Sequence, residues 1–444
     1  IEAPEINKTV MPYLTHSSEI VRLAALNACQ VSDDKAMRAV IPLLGDAAPE
    51  VQSLSKEKLR ESPFQNPVLL IESIVLPDRK VREGLFSLLE SLEIKDVDIF
   101  RFARSQVERA YTNLMEAESS GIFKESPERD LLKEHLIQRN KERVETVLRV
   151  LATQDRTGQM RVIWRGVSSS DARQKSNALE ALEDSLGRSL SRLLVPLLED
   201  TSIDQCLETG KKFFQLPSFD SDPAIFYAHL LSKHDWVTVV LTLNLINKEG
   251  GNGVEKGLIE EAAKSENNHI RRMARHVLDR KGSDSFEKET KMETEISIPD
   301  KILHLRSIQI FEGLSVGEMA AIASVTEEVV YPEGEDVIKE GEQGETMFMI
   351  ISGLVSVVKS QEGGGEIELD TIKAGDYFGE MALFEDQVRS ATIRSKEETR
   401  VLVLHKREFN EIVREYPQIA LHICKVLSQR LRKTHERVQI LEKS

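Results

Sequence analysis

The chain has 444 residues, 40% of them apolar, and a formal net charge of −15. That length supports at least two hydrophobic cores, no uncharged apolar stretch approaches the ~18 residues of a membrane helix, and the negative balance argues against a nucleic-acid face. Cys29, Cys206 and Cys424 are far apart and odd in number, and the ten histidines form no HxxxH-like set, which suits buried thiols in a reducing, cytoplasmic setting and no metal.

Residues before 282 read as helical. Val21, Val51 and Val81 recur every 30 residues. Each lies in a helix-starting context: Ser17-Ser18-Glu19, Asp46 to Pro49, and Asp78-Arg79-Lys80. Met11-Pro12-Tyr13-Leu14 and Ile41-Pro42-Leu43-Leu44 place a proline at the same phase of the preceding helix. Together these features resemble HEAT repeats, which implies stacked antiparallel helix pairs. Further on, Glu128 to Thr153 is apolar at helical spacing. Ser170-Asp171 opens a run through Leu182, Leu194-Val195-Pro196-Leu197-Leu198 follows, and Asp235 and Asn268 precede two later helices. The expectation is an all-α solenoid over residues 1–281 that presents a surface to a protein partner the sequence does not identify.

Residues 282–298 are polar and charged and read as a linker. Pro299 then opens an apolar helical stretch, Ile302, Leu303, Leu305, Ile308, Phe311, Leu314, Met319 and Ile322. Beyond it, Val355, Val357, Ile367 and Leu369 alternate with polar residues, and Gly363-Gly364-Gly365 and Gly375-Asp376 mark turns. Short strands with glycine turns suggest a small jelly-roll barrel.

Phe378 to Ile393 carries the chemistry. Gly379 lets backbone approach a ligand, and Met381-Ala382-Leu383 can form one helical turn whose free N–H groups attract an anion. Arg389 offers a planar fork to phosphate oxygens and Ser390 a hydroxyl beside it, with Ala391 following in the same run. Glu380 would repel phosphate but can accept from a sugar hydroxyl. An acid for sugar and a base for phosphate point to a nucleotide. Glu380, His405 and Asp386 lie near this segment, but without a metal cluster or an activated nucleophile no enzyme is expected.

This segment resembles the phosphate-binding cassette of cyclic nucleotide-binding domains, with the pattern FGE, an apolar residue, AL, a spacer and RSAT. The resemblance extends to Tyr331 to Glu342 and Gly344 to Gly353, and covers roughly the last third of the chain. Val388 departs from it, since many members have proline there. Residues 299–444 are accordingly expected to be an α+β domain, a β jelly-roll barrel with flanking helices, of the catabolite-activator or kinase-regulatory type. In that family the short helix and the C-terminal helix shift against the barrel when ligand enters.

Cys424, Leu427, Leu431, Thr434, Val438 and Leu441 form an a/d seam on the last helix, which can pack on its own barrel or pair two chains as a homodimer. Counting from Pro417, this helix is similar to the dimer helix of catabolite-activator members, and Thr434 and His435 fall where that family reaches the base. His435 departs from the family, and the combination favours cyclic AMP over cyclic GMP. More distantly, helical repeats with NALEAL and LLVPLLED before such a domain resemble the soluble part of bacterial nucleotide-translocase-like membrane proteins. Ile1 fits a trimmed piece of a longer chain with a transporter domain upstream, on the cytosolic side of a membrane. The expected function is a cyclic nucleotide sensor that relays its state to a helical interaction module. The alternative is a protein-interaction scaffold whose barrel no longer binds nucleotide.

Overall fold

The computed structural model describes residues 3–75, 78–92, 99–155, 157–169, 171–219, 222–251, 253–282, 296–361 and 364–441; the side chains of residues 3–4, 154, 281–282, 430 and 433–441 fall outside that description. A mostly helical N-terminal region is followed by a domain rich in β-sheet. The chain divides into two compact units, residues 1–120 with 136–219, and residues 121–135 with 220–444.

In the first unit, helices Glu19–Ala28, Pro49–Glu61 and Arg79–Ser91 start at the 30-residue spacing of the three valines and pack in succession. Val51 and Val81 are buried and Val21 is half-buried. Pro12, Pro42 and Pro196 lie in short 3₁₀ turns, Met11–Tyr13, Ile41–Gly45 and Val195–Leu197, that directly follow helices. Proline lacks the N–H that the α pattern needs and its ring crowds the preceding turn, so the helix tightens and ends there.

The expected helix starts differ in their chemistry. Asp78 accepts the Val81 amide, and Asp171 those of Arg173 and Gln174, as caps do. Ser18 makes no side-chain cap. Asp46 takes the fork of Arg22 at 2.7 Å on each oxygen, and so ties one helix of the succession to the start of the next.

In the second unit, helices Pro223–Leu231, Trp236–Glu249, Lys256–Ala262 and Asn268–Gly282 pack together. Asp235 caps the second of them. The last is capped by Asn267, whose Oδ1 accepts from His269 and Ile270 at 2.9 and 3.2 Å, one residue before the Asn268 suggested by the sequence. Of the expected linker, residues 283–295 lie outside the described residues. Ser297 then caps helix Ile298–Arg306, and Ser315 with Glu318 forms a capping box on Val316–Val325. Ile302, Leu305, Ile308, Phe311, Leu314, Met319 and Ile322 are all buried, as their helical spacing requires.

The barrel follows: β1 (Glu327–Tyr331), β2 (Asp336–Ile338), β3 (Thr346–Ser352), β4 (Leu354–Ser360), β5 (Glu366–Lys373), β6 (Tyr377–Phe378), β7 (Thr392–Ser395) and β8 (Thr399–His405). They form two antiparallel four-stranded sheets, β1-β8-β3-β6 and β2-β7-β4-β5, a jelly-roll arrangement. Phe348, Ile350, Val355, Phe378, Ile393, Val401 and Val403 fill the interior, with Phe348 and Phe378 stacked at 5.0 Å. The alternation in β4 buries Val355, but in β5 Ile367 and Leu369 are exposed. Every residue of β5 except Ile372 is exposed, so neither face of this outer strand is well covered and its alternation does not translate into burial.

Gly84 sets how closely the first unit packs: a Cβ on it would stand 2.7 Å from Leu44 Cβ and 3.0 Å from the Leu44 carbonyl oxygen. Alanine normally gains up to ~1 kcal/mol over glycine inside a helix. Here Gly84→Ala is expected to lower stability by about 1–3 kcal/mol through overpacking. Chemical denaturation followed by helical signal tests this, and an unchanged or raised midpoint would reject the close approach.

Candidate functional site

β6 ends at Phe378 and the chain turns at Gly379, whose φ is +76°. A Cβ there would stand 2.7 Å from Arg389 Nη1 and 2.9 Å from the Thr346 carbonyl oxygen, so glycine is required by conformation and by space. Glu380 then opens the four-residue helix Met381–Phe384. Met381 is exposed, Ala382 and Leu383 are buried, and Phe384 lies edge-on to Phe409 at 5.7 Å. The Ala382 and Leu383 amides donate to Gly379 O and Glu380 O at 3.2 and 3.0 Å, so these two donors, expected to be free, are engaged within the turn.

Arg389 is only 8% exposed. Its Nη2 donates to the carbonyl and hydroxyl oxygens of Thr346 at 2.8 and 2.9 Å, and its Nη1 to Gly379 O at 3.4 Å. The Phe348 ring lies 6.0 Å from its Cζ, and a Cβ on Gly344 would fall 2.5 Å from its Nε. Among the described residues Arg389 makes no ion pair. Burial pushes its pKa down, while the charge of Glu342 acts the other way. Its polar partners are Thr346 and Gly379, not Glu380.

The backbone of the arginine is stitched to a neighbouring loop. Arg389 N donates to Glu342 O at 2.7 Å and Gly341 N to Arg389 O at 2.9 Å. Val388 is exposed and forms an isolated bridge with Gln343, so the loop holds Arg389 without proline at 388. Ser390 is exposed and Ala391 buried. The Ser390 carbonyl accepts from Lys359 Nζ at 2.6 Å, and the same ammonium pairs with Glu340 at 2.6 Å.

The fold thus brings Gly379, Arg389 and the turn at Glu380, Met381 and Ala382 to one place, with Ser390 and Ala391 continuing from the arginine into β7. Thr434 and His435 lie in helix Pro417–Leu441, but their side chains fall outside the description. Sequence reasoning missed Thr346, Gly344, Lys359 and Glu340 as parts of this site. Gly344, Thr346 and Glu340 sit in the glycine-punctuated runs that carry the family resemblance; Lys359 had no motif to mark it. Among the described residues no group of three or more His, Cys, Asp or Glu could hold a metal ion, and no helix is long and apolar enough to cross a membrane.

Residues 328–416 match the cyclic nucleotide-binding domain family. The chain is 28% identical over 137 residues to the cyclic AMP receptor protein of Thermus thermophilus, covering 31% of this chain and 63% of that protein. It is 35% identical over 112 residues to the cAMP-activated global transcriptional regulator CRP of Pasteurella multocida, covering 25% and 54%. With human cGMP-dependent protein kinase 2 it shares 35% identity over 121 residues, covering 27% and 16%. The chain therefore spans less than two thirds of each relative's length, from 16% to 63%. Residues 328–416 are a cyclic nucleotide-binding domain with homologues of catabolite-activator and kinase-regulatory type.

The Glu340 carboxyl, hydrogen-bonded first by Lys359 and then by the Ser360 amide, is held down at about 2 against an ordinary 4.5. A depressed carboxyl contributes stability above its unfolded value and loses it as pH falls through the folded one. The Glu340–Lys359 pair should therefore stay intact from neutral pH to below 4.5 and come apart only towards pH 2. A carboxyl-detected NMR titration with a Glu340 midpoint near the ordinary 4.5 would show that the pair does not persist in solution.

Proposed function

We propose that this chain is a cyclic nucleotide sensor, binding cyclic AMP in preference to cyclic GMP, and that it is not an enzyme. One observation carries the reading: Arg389 is buried without a carboxylate partner among the described residues, at the position where its family matches phosphate. A buried cation with only neutral acceptors is costly to keep, and an anionic ligand would supply the missing charge. In this reading Arg389 and Ser390 meet the cyclic phosphate and Glu380 the ribose hydroxyl. Gly379, Met381, Ala382 and Ala391 shape the wall, and Thr434 and His435 approach the base. The names of the relatives include both nucleotides, and the preference for cyclic AMP rests on Thr434.

The relay we propose runs to the helical region, read as a HEAT-like solenoid because of its 30-residue helix succession and its phased prolines. Helix Ile298–Arg306 packs on Trp236–Glu249. Lys248 lies 3.2 Å from Asp300 and 3.3 Å from Glu128, and Arg306 lies 2.9 Å from Glu134. These contacts would carry a shift of the domain's first helix into the helices before it. Regulation of a membrane transporter domain by a sensor on the cytosolic side extends this reading and rests on the NALEAL and LLVPLLED resemblance.

Calorimetric titration with cyclic AMP and cyclic GMP tests the pocket. Saturable binding is expected, stronger for cyclic AMP, and weakened about a hundredfold in Arg389→Ala, in line with the loss of a charge-assisted anchor. Absence of heat and of thermal shift with both nucleotides would leave a helical scaffold with a silent barrel.

We also propose that the last helix pairs two chains. Ile419, Ile423 and Val426 are all buried, on a helix that packs on Lys406–Glu415 and the turn Gln309–Phe311, while the seam residues Cys424 and Leu431 face solvent, Leu431 at 72% exposure. Mild oxidation should therefore give a disulfide-linked dimer that disappears in Cys424→Ser, since Cys29 and Cys206 are buried. Leu431→Glu should reduce the particle to monomer mass in light scattering, and a monomeric unmodified chain would reject the seam.

A further inference from the structure

The backbone ladder between β4 and β7 pairs Val355 with Ser395 and ends with Val358 opposite Thr392. One step beyond that end, a side chain takes over: Lys359 Nζ donates to the Ser390 carbonyl at 2.6 Å. The ammonium is held in turn by Glu340 Oε1 at 2.6 Å. Glu340 is itself fixed, its Oε2 accepting from Ser360 N and its own amide donating to Thr392 Oγ1, each at 3.0 Å. Together with Gly341 N on Arg389 O at 2.9 Å, these bonds hold residues 389, 390 and 392 through their outer atoms. The Ser390 residue itself is exposed.

We propose that Lys359 and Glu340 are positioning residues that fix Ser390 from behind, so that its hydroxyl is held ready for the phosphate of a cyclic nucleotide. This inference rests on the nucleotide reading above and deepens it. The bracket has little to do for stability: the lysine side chain is 43% exposed, and exposed pairs contribute little. The barrel already has its β4–β7 ladder without it. What the bracket adds is order at the one stretch where a ligand loop leaves the sheet, and pre-ordering a contact residue raises affinity by removing the cost of fixing it on binding. The ammonium-to-carbonyl bond is charge-assisted and short, which makes it a firm tether for a loop.

The test uses cyclic AMP titrations of the full chain. Lys359→Met is expected to weaken binding about tenfold, to leave the nucleotide-free unfolding midpoint within about 2 °C, and to be largely rescued by Lys359→Arg. Glu340→Gln should weaken binding in the same direction. In a Ser390→Ala background, Lys359→Met should cost less than about threefold, because its contribution passes through the serine. An equal cost in both backgrounds would overturn the inference, as would a lowered midpoint that tracks the affinity and is not restored by arginine. Unmodified chain that binds cyclic AMP while Lys359→Met binds within about twofold of it would overturn this inference alone. Unmodified chain that fails to bind would remove the nucleotide reading and this one with it.

Discussion

The site depends on keeping a guanidinium inside a barrel with no ion pair to it among the described residues. Arg389 is almost fully buried, and among the described residues its donors are met by oxygens of Thr346 and Gly379. Such an arrangement is unfavourable unless the surroundings leave the side chain no other place to go. The chain achieves this with two glycines, Gly344 and Gly379, where any Cβ would collide with the guanidinium. It also ties the arginine backbone to the loop at Gly341 and Glu342. The Phe348 ring, itself stacked on Phe378, lies 6.0 Å from the guanidinium carbon. The hydrophobic core of the barrel and the polar site thus share a wall.

That shared wall gives the short helix Met381–Phe384 its character. It is anchored by buried Ala382 and Leu383 and by one edge-on aromatic contact, Phe384 with Phe409, while Met381 points to solvent. Phe409 belongs to helix Lys406–Glu415, which packs on Pro417–Leu441, and that helix packs in turn on the 3₁₀ turn Gln309–Phe311. A continuous series of packed elements therefore leads from the arginine to the N-terminal helices of the same unit. A single helical turn has little internal structure to resist displacement, and displacement of packed elements occurs in steps because cores are close-packed.

How much of this was legible in the sequence follows from the distances involved. The cassette is local: glycine, acid, helical turn, arginine and serine fall within thirteen residues, from Gly379 to Ala391, and their order alone marks a site. The barrel was legible from alternation and glycine turns, except at β5. There Ile367 and Leu369 alternate correctly yet face solvent, because β5 is exposed on both faces, with only Ile372 partly covered. The partners of the arginine and of Ser390 were not legible. Thr346 is 43 residues from Arg389 and Lys359 is 31 from Ser390, and only strand register brings them together. Helix starts show the same limit: Asp78 caps as its position suggests, whereas Asp46 is diverted to Arg22 of the preceding helix.

The last helix combines two roles that periodicity alone does not separate. Ile419, Ile423 and Val426 step by four and three, and so do Cys424, Leu427 and Leu431 one position around. The first set is buried on the domain, while in the second Leu427 is half-buried and Cys424 and Leu431 are exposed. One stripe therefore fixes the helix to the flanking helical elements of its domain, and the adjacent stripe is left for another surface. A helix with both stripes cannot rotate to improve one contact without disturbing the other. Any movement that begins at the arginine and reaches this helix would for that reason be felt at both.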